Sequence, residues 1–289
     1  MSETFFNMYE TDFIAGSAEL AMLLEVSATP KPGNVDRTHD FEDLTYEHFL
    51  GSAAGMFPVF RKAASEGHNI GDLILNAVKA SATWQKAGNC HFGALLLLIP
   101  LCAAASRSST IPQLRKNAVD IVRSTTTADA IRFYESFRSV NVHVQERHFL
   151  DINDPESVRT IQKQQLTLFD IMEISSSNDT IAKEWIEGFP RIFHGAELFR
   201  QFDESRHNLN KSIVCLFLRL LSEEADTLVA TKFDSHVAFE VSAKASHVLE
   251  HGNIEDFDEE LIARRINPGT TADLVIGSLF VTLLGGYRF

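Results

Sequence analysis

The sequence is poor in the features that mark secreted, zinc-binding or nucleic-acid-binding proteins. It has three cysteines, Cys90, Cys102 and Cys215, and no CxxC spacing, so we expect buried thiols and neither a disulfide framework nor a zinc site. No run of Lys or Arg occurs, and the formal net charge is −13. We therefore expect no nucleic-acid partner, because a phosphate backbone requires a basic surface.

Long apolar stretches and a secretion signal are also missing. The longest apolar run, Phe92–Ala105, is shorter than the ~20 residues that cross a bilayer. It predicts a buried core helix and no membrane partner. The opening residues, MSETFFNMYETDF, include acids and no cationic start, unlike a signal peptide. We predict a cytoplasmic protein.

Helical periodicity, in contrast, is abundant. Hydrophobic residues make up 45% of the chain and recur at helical spacing, while strand-like alternation is nearly absent. We predict an all-α fold: a single multi-helix domain over residues 1–289, with about ten or more helices and no significant sheet. One helix should have Thr45 as its N-cap, a kink at Pro58 and a stop at Gly67. Other predicted helices run from Asn178 or Asp179 to Phe199, and over 208–221, 234–251, 258–265 and 271–284.

The most unusual polar segment is TPKPGNVDR, Thr29–Arg37. Its Pro-Lys-Pro-Gly part forces an extended, turning path after a helix. A solvated loop is one interpretation. The other is a site in which cations bind phosphate oxygens while acids or a histidine bind a metal ion or transfer protons. The residues concerned are Lys31 and Arg37 for phosphate, and Asp36, His39 and Asp43 for metal or protons.

A second polar segment, Gly88–Gly93, directly precedes the apolar run. The free amides of a helix start, together with Asn89 and His91, favour a site for an anion or a hydroxyl group. The alternative is an ordinary asparagine cap with an incidental histidine.

Two further segments lie in the C-terminal third. Glu223, Glu224 and Asp226 either hold Mg²⁺ through oxygen ligands or form a charged helix start. In the segment Asn267–Asp273, Thr270 and Asp273 have the spacing of a capping box. The same segment also offers amides and two hydroxyls to a phosphate, so plain capping and ligand binding are both open.

In their order along the chain, the four segments resemble the motifs of the triphosphoribosyl-dephospho-CoA synthase family, which makes the prosthetic-group precursor of citrate lyase and malonate decarboxylase. The family's TPKPGLVDR, GxNTHKG, DTN and SPGGSADL patterns correspond to Thr29–Arg37, Gly88–Gly93, Asp226-Thr227 and Asn267–Leu274. The resemblance covers nearly the whole chain. It implies an all-α enzyme in which an acceptor hydroxyl attacks C1 of the ATP ribose, expels adenine and keeps the triphosphate.

The resemblance also implies roles for individual residues. The catalytic candidates are Asp36, His39, His91 and Asp226, and the general base is one of Asp36, His39 and His91. The candidates for binding ATP or substrate are Lys31, Gly33, Asn34, Arg37, Asn89, Thr227, Asn267, Gly269, Thr270, Thr271 and Asp273. Mg²⁺, carried as Mg-ATP, is expected at Asp36, Asp43 and Asp226.

Several positions depart from the family patterns. Phe92 and Cys90 replace a lysine and a threonine, Leu228 replaces an asparagine, and Thr270-Thr271 replaces a glycine pair. No counterpart to a GARGE-type segment is found. These departures resemble a divergent branch in archaea and in bacteria with methanopterin-linked one-carbon metabolism, so the acceptor is either dephospho-CoA or a pterin-type cofactor precursor.

Two other functional classes remain open at this stage. The same carboxylates suit a Mg²⁺-dependent hydrolase of a nucleotide or N-glycosidic bond, and a helical binding protein without activity is a third reading. The 22 phenylalanines and the apolar helices permit a homodimer, although no heptad seam specifies one.

Overall fold

The computed structural model describes residues 10–88, 90–139 and 155–289. This part of the chain forms sixteen helices, and its only β pairing is one isolated bridge between Phe41 and Leu44. The prediction of an all-α fold is confirmed. The helices are α1 Thr11–Ser27, α2 Tyr46–Ala54, α3 Phe57–Glu66, α4 Ile70–Ser81, α5 Phe92–Ala105, α6 Ile111–Arg123, α7 Thr127–Ser139, α8 Pro155–Gln164, α9 Leu168–Ser175, α10 Thr180–Glu187, α11 Pro190–Arg206, α12 Leu209–Glu223, α13 Thr227–Lys232, α14 Ser235–His251, α15 Ile254–Ala263 and α16 Gly269–Leu284.

Two helices, α5 and α16, form the centre of the packing. Both are apolar on every side and are buried along almost their whole length, as expected of core helices. They contact each other; α1, α11 and α12 surround α16, while α3, α4 and α6 surround α5. The starts of α5 and α16 carry two of the polar sequence segments, so the packing of these helices decides which polar groups meet.

Local signals predicted several helix ends correctly, but the kink at Pro58 and the helix from Asp179 to Phe199 were wrong. The helix predicted over 258–265 is α15 and begins four residues earlier, at Ile254. Thr45 begins α2 through its N–H, which donates to His48 Nδ1, and Gly67 ends α3 in the left-handed conformation at φ 66°. The predicted kink at Pro58 is wrong: the chain breaks at Gly55 and Met56, and Pro58 lies in the first turn of α3. A proline is well tolerated there because the first amides of a helix lack intrahelical partners.

The single helix predicted from Asn178 or Asp179 to Phe199 is wrong, because the structure has two helices there. Asp179 does begin α10, because its carboxylate accepts the N–H of Ala182. However, Gly188 and Phe189 both adopt positive φ and turn the chain before α11 starts at Pro190. Across the described ranges, no helix is long and apolar enough to cross a membrane.

Candidate active site

The loop after α1 is held in place by residues from the C-terminal half. The side chain of Asn210 accepts the N–H of Thr29 at 2.9 Å and donates to its carbonyl at 2.6 Å. Gly33 has φ 74°, and a side chain there would collide with the carbonyl of Ile266. The glycine of the Pro-Lys-Pro-Gly turn is therefore required by both its conformation and a close backbone approach.

Lys31, predicted to bind phosphate, is fully buried. Its ammonium lies 3.0 Å from Glu25 Oε1 and donates to the carbonyl of Val35 at 3.1 Å. Burial raises the pKa of Glu25, while Lys31 lowers it. Contact with Lys31 recovers part of the cost of burying Glu25, whose pKa remains raised overall, and Lys31 already has an anionic partner within the protein.

Asp36 is saturated with hydrogen bonds. Its Oδ1 accepts the N–H and hydroxyl of Thr38, each at 2.8 Å, and the N–H of His39 at 3.1 Å, while Oδ2 accepts the N–H of Lys31 at 3.2 Å. Although burial raises it, the pKa of Asp36 is lowered overall by these donors. A carboxylate stabilised in this way is a weak base.

His39 forms a pair with an acid that the sequence motifs did not indicate. Its Nδ1 lies 3.0 Å from Asp258 Oδ2, and Asp258 Oδ1 accepts the N–H of Gly33 at 2.9 Å. The His39 side chain is 34% exposed whereas Asp258 is buried. The available signal was the position of Asp258 on the apolar face of α15, between Phe257 and Leu261, where a buried acid requires a partner.

His91 lies at the start of α5 and is buried. Its Nδ1 is 3.0 Å from Ser52 Oγ, and its ring packs edge-on against Phe49 at 4.9 Å between centroids. Nε2 has no hydrogen-bond partner among the residues described. Burial, and secondarily the charge of Lys31, lowers the pKa of His91 to about 3. His91 is therefore a neutral imidazole close to the lysine.

Asp226 joins the starts of α13 and α16. Its Oδ1 accepts the N–H groups of Leu228 at 2.9 Å and Val229 at 3.1 Å, and its Oδ2 accepts the N–H of Thr271 at 2.7 Å and its hydroxyl at 2.8 Å. Burial nevertheless raises the pKa of Asp226. The α16 amide predicted to bind phosphate at Thr271 is thus taken by a carboxylate of the protein itself.

Asp273 joins α16 to the start of α5 in the same manner. Its carboxylate accepts the N–H of Ala94, and a side chain at Gly93 would overlap it. Burial raises the pKa of Asp273 well above its usual range, and the charges of Glu25, Asp226 and Asp179 raise it further. These neighbours show that the second and fourth polar segments meet and that the first lies close to them.

The remaining predicted residues have varied surroundings. Arg37 is exposed and donates to Asn210 Oδ1 at 3.1 Å. The hydroxyls of Thr227 and Thr270 lie 3.3 Å apart, and Gly269 packs under Leu228. Asn34 Nδ2 and Asn267 Oδ1 are buried and lack hydrogen-bond partners within the described ranges. Asp43 is exposed, and Asn89 lies outside the described residues.

Two of the positions that depart from the family patterns, Phe92 and Leu228, make packing contacts. Phe92 contacts Phe133 and Phe137, with ring centroids 5.9 and 4.6 Å apart, so an aromatic cluster between α5 and α7 fills the place of the expected lysine. The side chain of Leu228 covers Gly269, so position 269 has no room for a larger residue.

A cleft of about 390 Å³ opens beside Asp226, between α10, α11, α12, α13 and α16. Arg191 lines it and is held by Glu184, whose Oε1 is 2.9 Å from Nη1, and by Glu224. Glu223 contacts His194 at 3.2 Å. The acids considered for Mg²⁺ at 223 and 224 are therefore paired with cations, and sequence patterns did not single out Arg191 because its partners come from other helices.

The predicted magnesium ligands are not assembled into one group. Both oxygens of Asp36 and of Asp226 accept hydrogen bonds from the protein, and Asp43 is exposed in a different turn. Among the residues described, no group of three or more His, Cys, Asp or Glu side chains is arranged to hold a metal ion.

The polar side chains form two neighbouring groups. We call Glu25, Lys31, Asp36, His39 and Asp258 the loop cluster. We call Asp179, Asp226 and Asp273 the helix-start cluster, since each of these acids accepts an N–H at the start of a helix. Buried charges, a neutral histidine and unpartnered amides gathered from distant segments are typical of an enzyme active site.

The fold and site thus define an all-helical enzyme with a buried, charged centre. The sequence matches the family described as ATP:dephospho-CoA triphosphoribosyl transferase over residues 11–288, and the chain belongs to this family. It is therefore a transferase of cofactor biosynthesis, as the sequence motifs implied, and this membership favours transfer over hydrolysis or binding alone.

Individual relatives agree with the family match. Proteins described as 2-(5''-triphosphoribosyl)-3'-dephosphocoenzyme-A synthases are 25% identical in Streptococcus equi subsp. equi, over 94% of this chain and 97% of the relative, and 27% identical in Citrobacter koseri, over 90% and 87%. A crystal structure from Archaeoglobus fulgidus, described as a triphosphoribosyl-dephospho-CoA synthase, is 32% identical with a TM-score of 0.72. It covers 84% of this chain and 100% of its own.

Proposed function

We propose that this chain transfers the triphosphoribosyl group of ATP to a hydroxyl of dephospho-CoA. The acceptor oxygen attacks C1 of the ATP ribose and the bond from C1 to adenine breaks. The hydroxyl proton passes to a base of the protein, and adenine takes up one proton as it leaves, so the proton lost by the acceptor balances the proton gained by adenine. The observation that carries this proposal is the convergence of the loop cluster, the helix-start cluster and His91 within a chain that matches the transferase family.

His39 is the proposed general base. The carboxylate of Asp258 lies 3.0 Å from Nδ1, which favours a proton on Nδ1 and leaves the lone pair of Nε2 available. The other two candidates are less suited, because Asp36 is stabilised as an anion by four donors and His91 is buried and neutral. The partial exposure of His39 also allows an acceptor to reach it.

Asp273 is the proposed carboxylate facing the reacting carbon. The C1 centre gains positive charge as adenine departs, and a nearby carboxylate stabilises such an oxocarbenium-like state. Asp273 is partly accessible and Asp226 is not, so Asp273 can reach the substrate while Asp226 holds the helices that position it. Asn34 and Asn267 carry unpartnered polar atoms and are proposed contacts to ATP.

Mg²⁺ is proposed to enter with ATP. Magnesium keeps several waters and binds through one or two carboxylates plus phosphates, so a three-ligand protein site is not required. The residues proposed to hold it are Asp179 and Asp273, whose charges repel each other, in place of the predicted Asp36, Asp43 and Asp226. Its contribution would be to neutralise charge on the triphosphate.

The test is an adenine-release assay with ATP and Mg²⁺, with and without dephospho-CoA. The expected result is adenine release only with the acceptor, together with a product whose mass equals the acceptor plus triphosphoribose. Adenine or phosphate released without an acceptor would favour hydrolysis. Turnover with a pterin-type precursor but not with dephospho-CoA would overturn the acceptor assignment.

Three predictions from the sequence belong to the same proposal. They are one domain over residues 1–289, a cytoplasmic location and apolar helices that permit a homodimer. Light scattering of the purified chain measures the oligomer directly, and limited proteolysis measures whether one protected unit extends across the chain.

A further inference from the structure

His91 is held by a short chain of polar side chains from α2, α4 and the segment that follows α4. Ser52 Oγ lies 3.0 Å from His91 Nδ1, Ser81 Oγ lies 2.7 Å from Ser52 Oγ, and Gln85 Nε2 lies 3.3 Å from Ser81 Oγ. All four side chains are buried. The direction of each hydrogen bond in this chain decides which nitrogen of His91 carries a proton.

The direction is set at Gln85. Its Nε2 also lies 2.9 Å from the carbonyl oxygen of Gly88, and a carbonyl only accepts, so the group facing it must be the amide nitrogen. The second amide hydrogen then points to Ser81 Oγ. Ser81 is left with its own hydrogen for Ser52, and Ser52 with its own for His91 Nδ1. Nδ1 therefore accepts, and a neutral ring must carry its proton on Nε2.

We infer that His91 is a neutral hydrogen-bond donor, presenting Nε2–H to a substrate oxygen of a phosphate or ribose, and that Ser52, Ser81 and Gln85 are its positioning residues. The buried Nε2 lacks a partner among the described residues, which a ligand oxygen would supply. The identity of this ligand rests on the proposed function, whereas the assignment of the proton to Nε2 follows from the hydrogen-bond chain alone.

The surroundings favour a neutral donor. Burial and the nearby Lys31 disfavour the imidazolium form, so His91 stays uncharged at the pH values where enzymes of this kind work. Lys31 already carries a positive charge. A neutral N–H donor beside it can orient a bound ligand oxygen through a hydrogen bond without adding a second buried cation. His39 differs in this respect, because its Nδ1 faces an acceptor, the carboxylate of Asp258, whereas Nδ1 of His91 faces a hydroxyl donor.

The nitrogen that carries the proton can be measured on the full chain without any substrate. Histidine labelled with ¹⁵N, assigned by comparison with His91→Gln, should show His91 protonated on Nε2 only and unchanged from about pH 6 to about pH 8. A proton on Nδ1, or titration within this range, would overturn the inference.

The ligand is tested by adding ATP, which should shift the Nε2 resonance of His91. Inorganic triphosphate should cause the shift if the bound oxygen belongs to a phosphate, and adenosine should cause it if the oxygen belongs to the ribose. No shift with any of the three would overturn the ligand assignment alone, with the protonation result intact.

Kinetics separate a donor from a base. His91→Ala should lower kcat about 10²–10³-fold, the cost of removing one donor to developing charge, while His91→Gln, which keeps an N–H, should lower it only about 10-fold. Equal losses in both variants would indicate a base and overturn the inference.

Ser81→Ala tests the positioning residues. It should put part of His91 in the Nδ1–H form and lower kcat about 10-fold with little change in KM. Ser136→Ala is the matched control, because Ser136 is equally buried but donates to the carbonyl of Phe133. A single Nε2–H form in Ser81→Ala would show that the chain of side chains does not orient His91.

Discussion

The loop cluster and the helix-start cluster contain similar numbers of acids but differ in how those acids are compensated. In the loop cluster, Glu25 contacts the ammonium of Lys31 and Asp258 contacts His39. In the helix-start cluster, the acids accept backbone N–H groups, and the charges of Asp226 and Asp179 raise the pKa of Asp273. Two of the three acids in the loop cluster therefore lie 3.0 Å from Lys31 or His39, whereas the three acids of the helix-start cluster accept N–H groups and their mutual repulsion raises the pKa of Asp273.

The difference suggests separate tasks. A cluster whose acids contact basic side chains recovers part of the cost of burying them and can hold a base in one orientation. A cluster of repelling carboxylates is destabilising in the free protein, and a bound cation or a developing positive charge relieves the repulsion. We therefore expect the loop cluster to control proton transfer and the helix-start cluster to control ligand binding and the reacting carbon.

The largest effect is expected at His39. His39→Ala should lower kcat about 10²–10⁴-fold, the usual contribution of a general base, and added imidazole should restore part of it. Asp258→Asn should lower kcat about 10–100-fold without rescue by imidazole. His68→Ala is the control, because His68 is exposed and its Nδ1 lies 2.7 Å from the carbonyl oxygen of Glu66, away from both clusters in sequence. Failure of imidazole to restore His39→Ala would assign His39 a structural task.

A second comparison uses two buried acids with the same hydrogen-bond pattern. Asp129 accepts the N–H of Gly71 at 2.8 Å and both the N–H and the hydroxyl of Thr126, much as Asp226 accepts those of Thr271. Asp129→Asn and Asp226→Asn should each lose about 1–3 kcal/mol of unfolding free energy, since at least one donor is left without an acceptor in Asp129→Asn and two in Asp226→Asn.

Only the Asp226 variant should lose activity. We expect kcat to fall about 10–100-fold in Asp226→Asn, because α16 no longer holds Asp273 in place, and to change less than about 3-fold in Asp129→Asn. Urea unfolding and the adenine-release assay measure both quantities. Similar losses of activity in the two variants would show that the helix-start cluster has no special part in the reaction.

The smallest effect concerns stability at Asp273. The pKa of this carboxyl is raised in the folded chain, so it contributes least to stability above that pKa and most below the pKa of the unfolded chain. Asp273→Asn should therefore raise the Tm of the unliganded protein by about 2–4 °C near neutral pH, and the difference should shrink as the pH falls. Mg-ATP should stabilise the natural chain more than the variant. A lower Tm for the variant at every pH would contradict the repulsion between these acids.

Prediction from the sequence succeeded where the signal was local. Helix ends are marked by Thr45, Gly67 and Asp179 through contacts within four residues. Such contacts depend on short stretches of sequence and can be predicted from them. The kink at Pro58 failed because proline suits both a kink and a first turn.

The polar segments that form the candidate site are local features of the sequence as well. The polar segments were recognisable, but the amides expected to bind phosphate proved to be taken by Asp226 and Asp273. Asp258, Ser52 and Arg191 were missed, since each is one polar residue on an otherwise ordinary helix. Their partners lie far away in sequence, as with Gly33 and Asp258, which are 225 residues apart.

The sequence alone determined that the chain is helical and that the apolar run forming α5 is buried, and it indicated the segment from Thr29 to Arg37 as a candidate site. Periodicity, uniform apolarity and backbone-restricting prolines and glycines are properties of neighbouring residues. Only the tertiary structure decided which acids are paired with cations, which repel one another, and which nitrogen of each histidine is free. Those properties depend on burial and on groups brought together from distant parts of the chain.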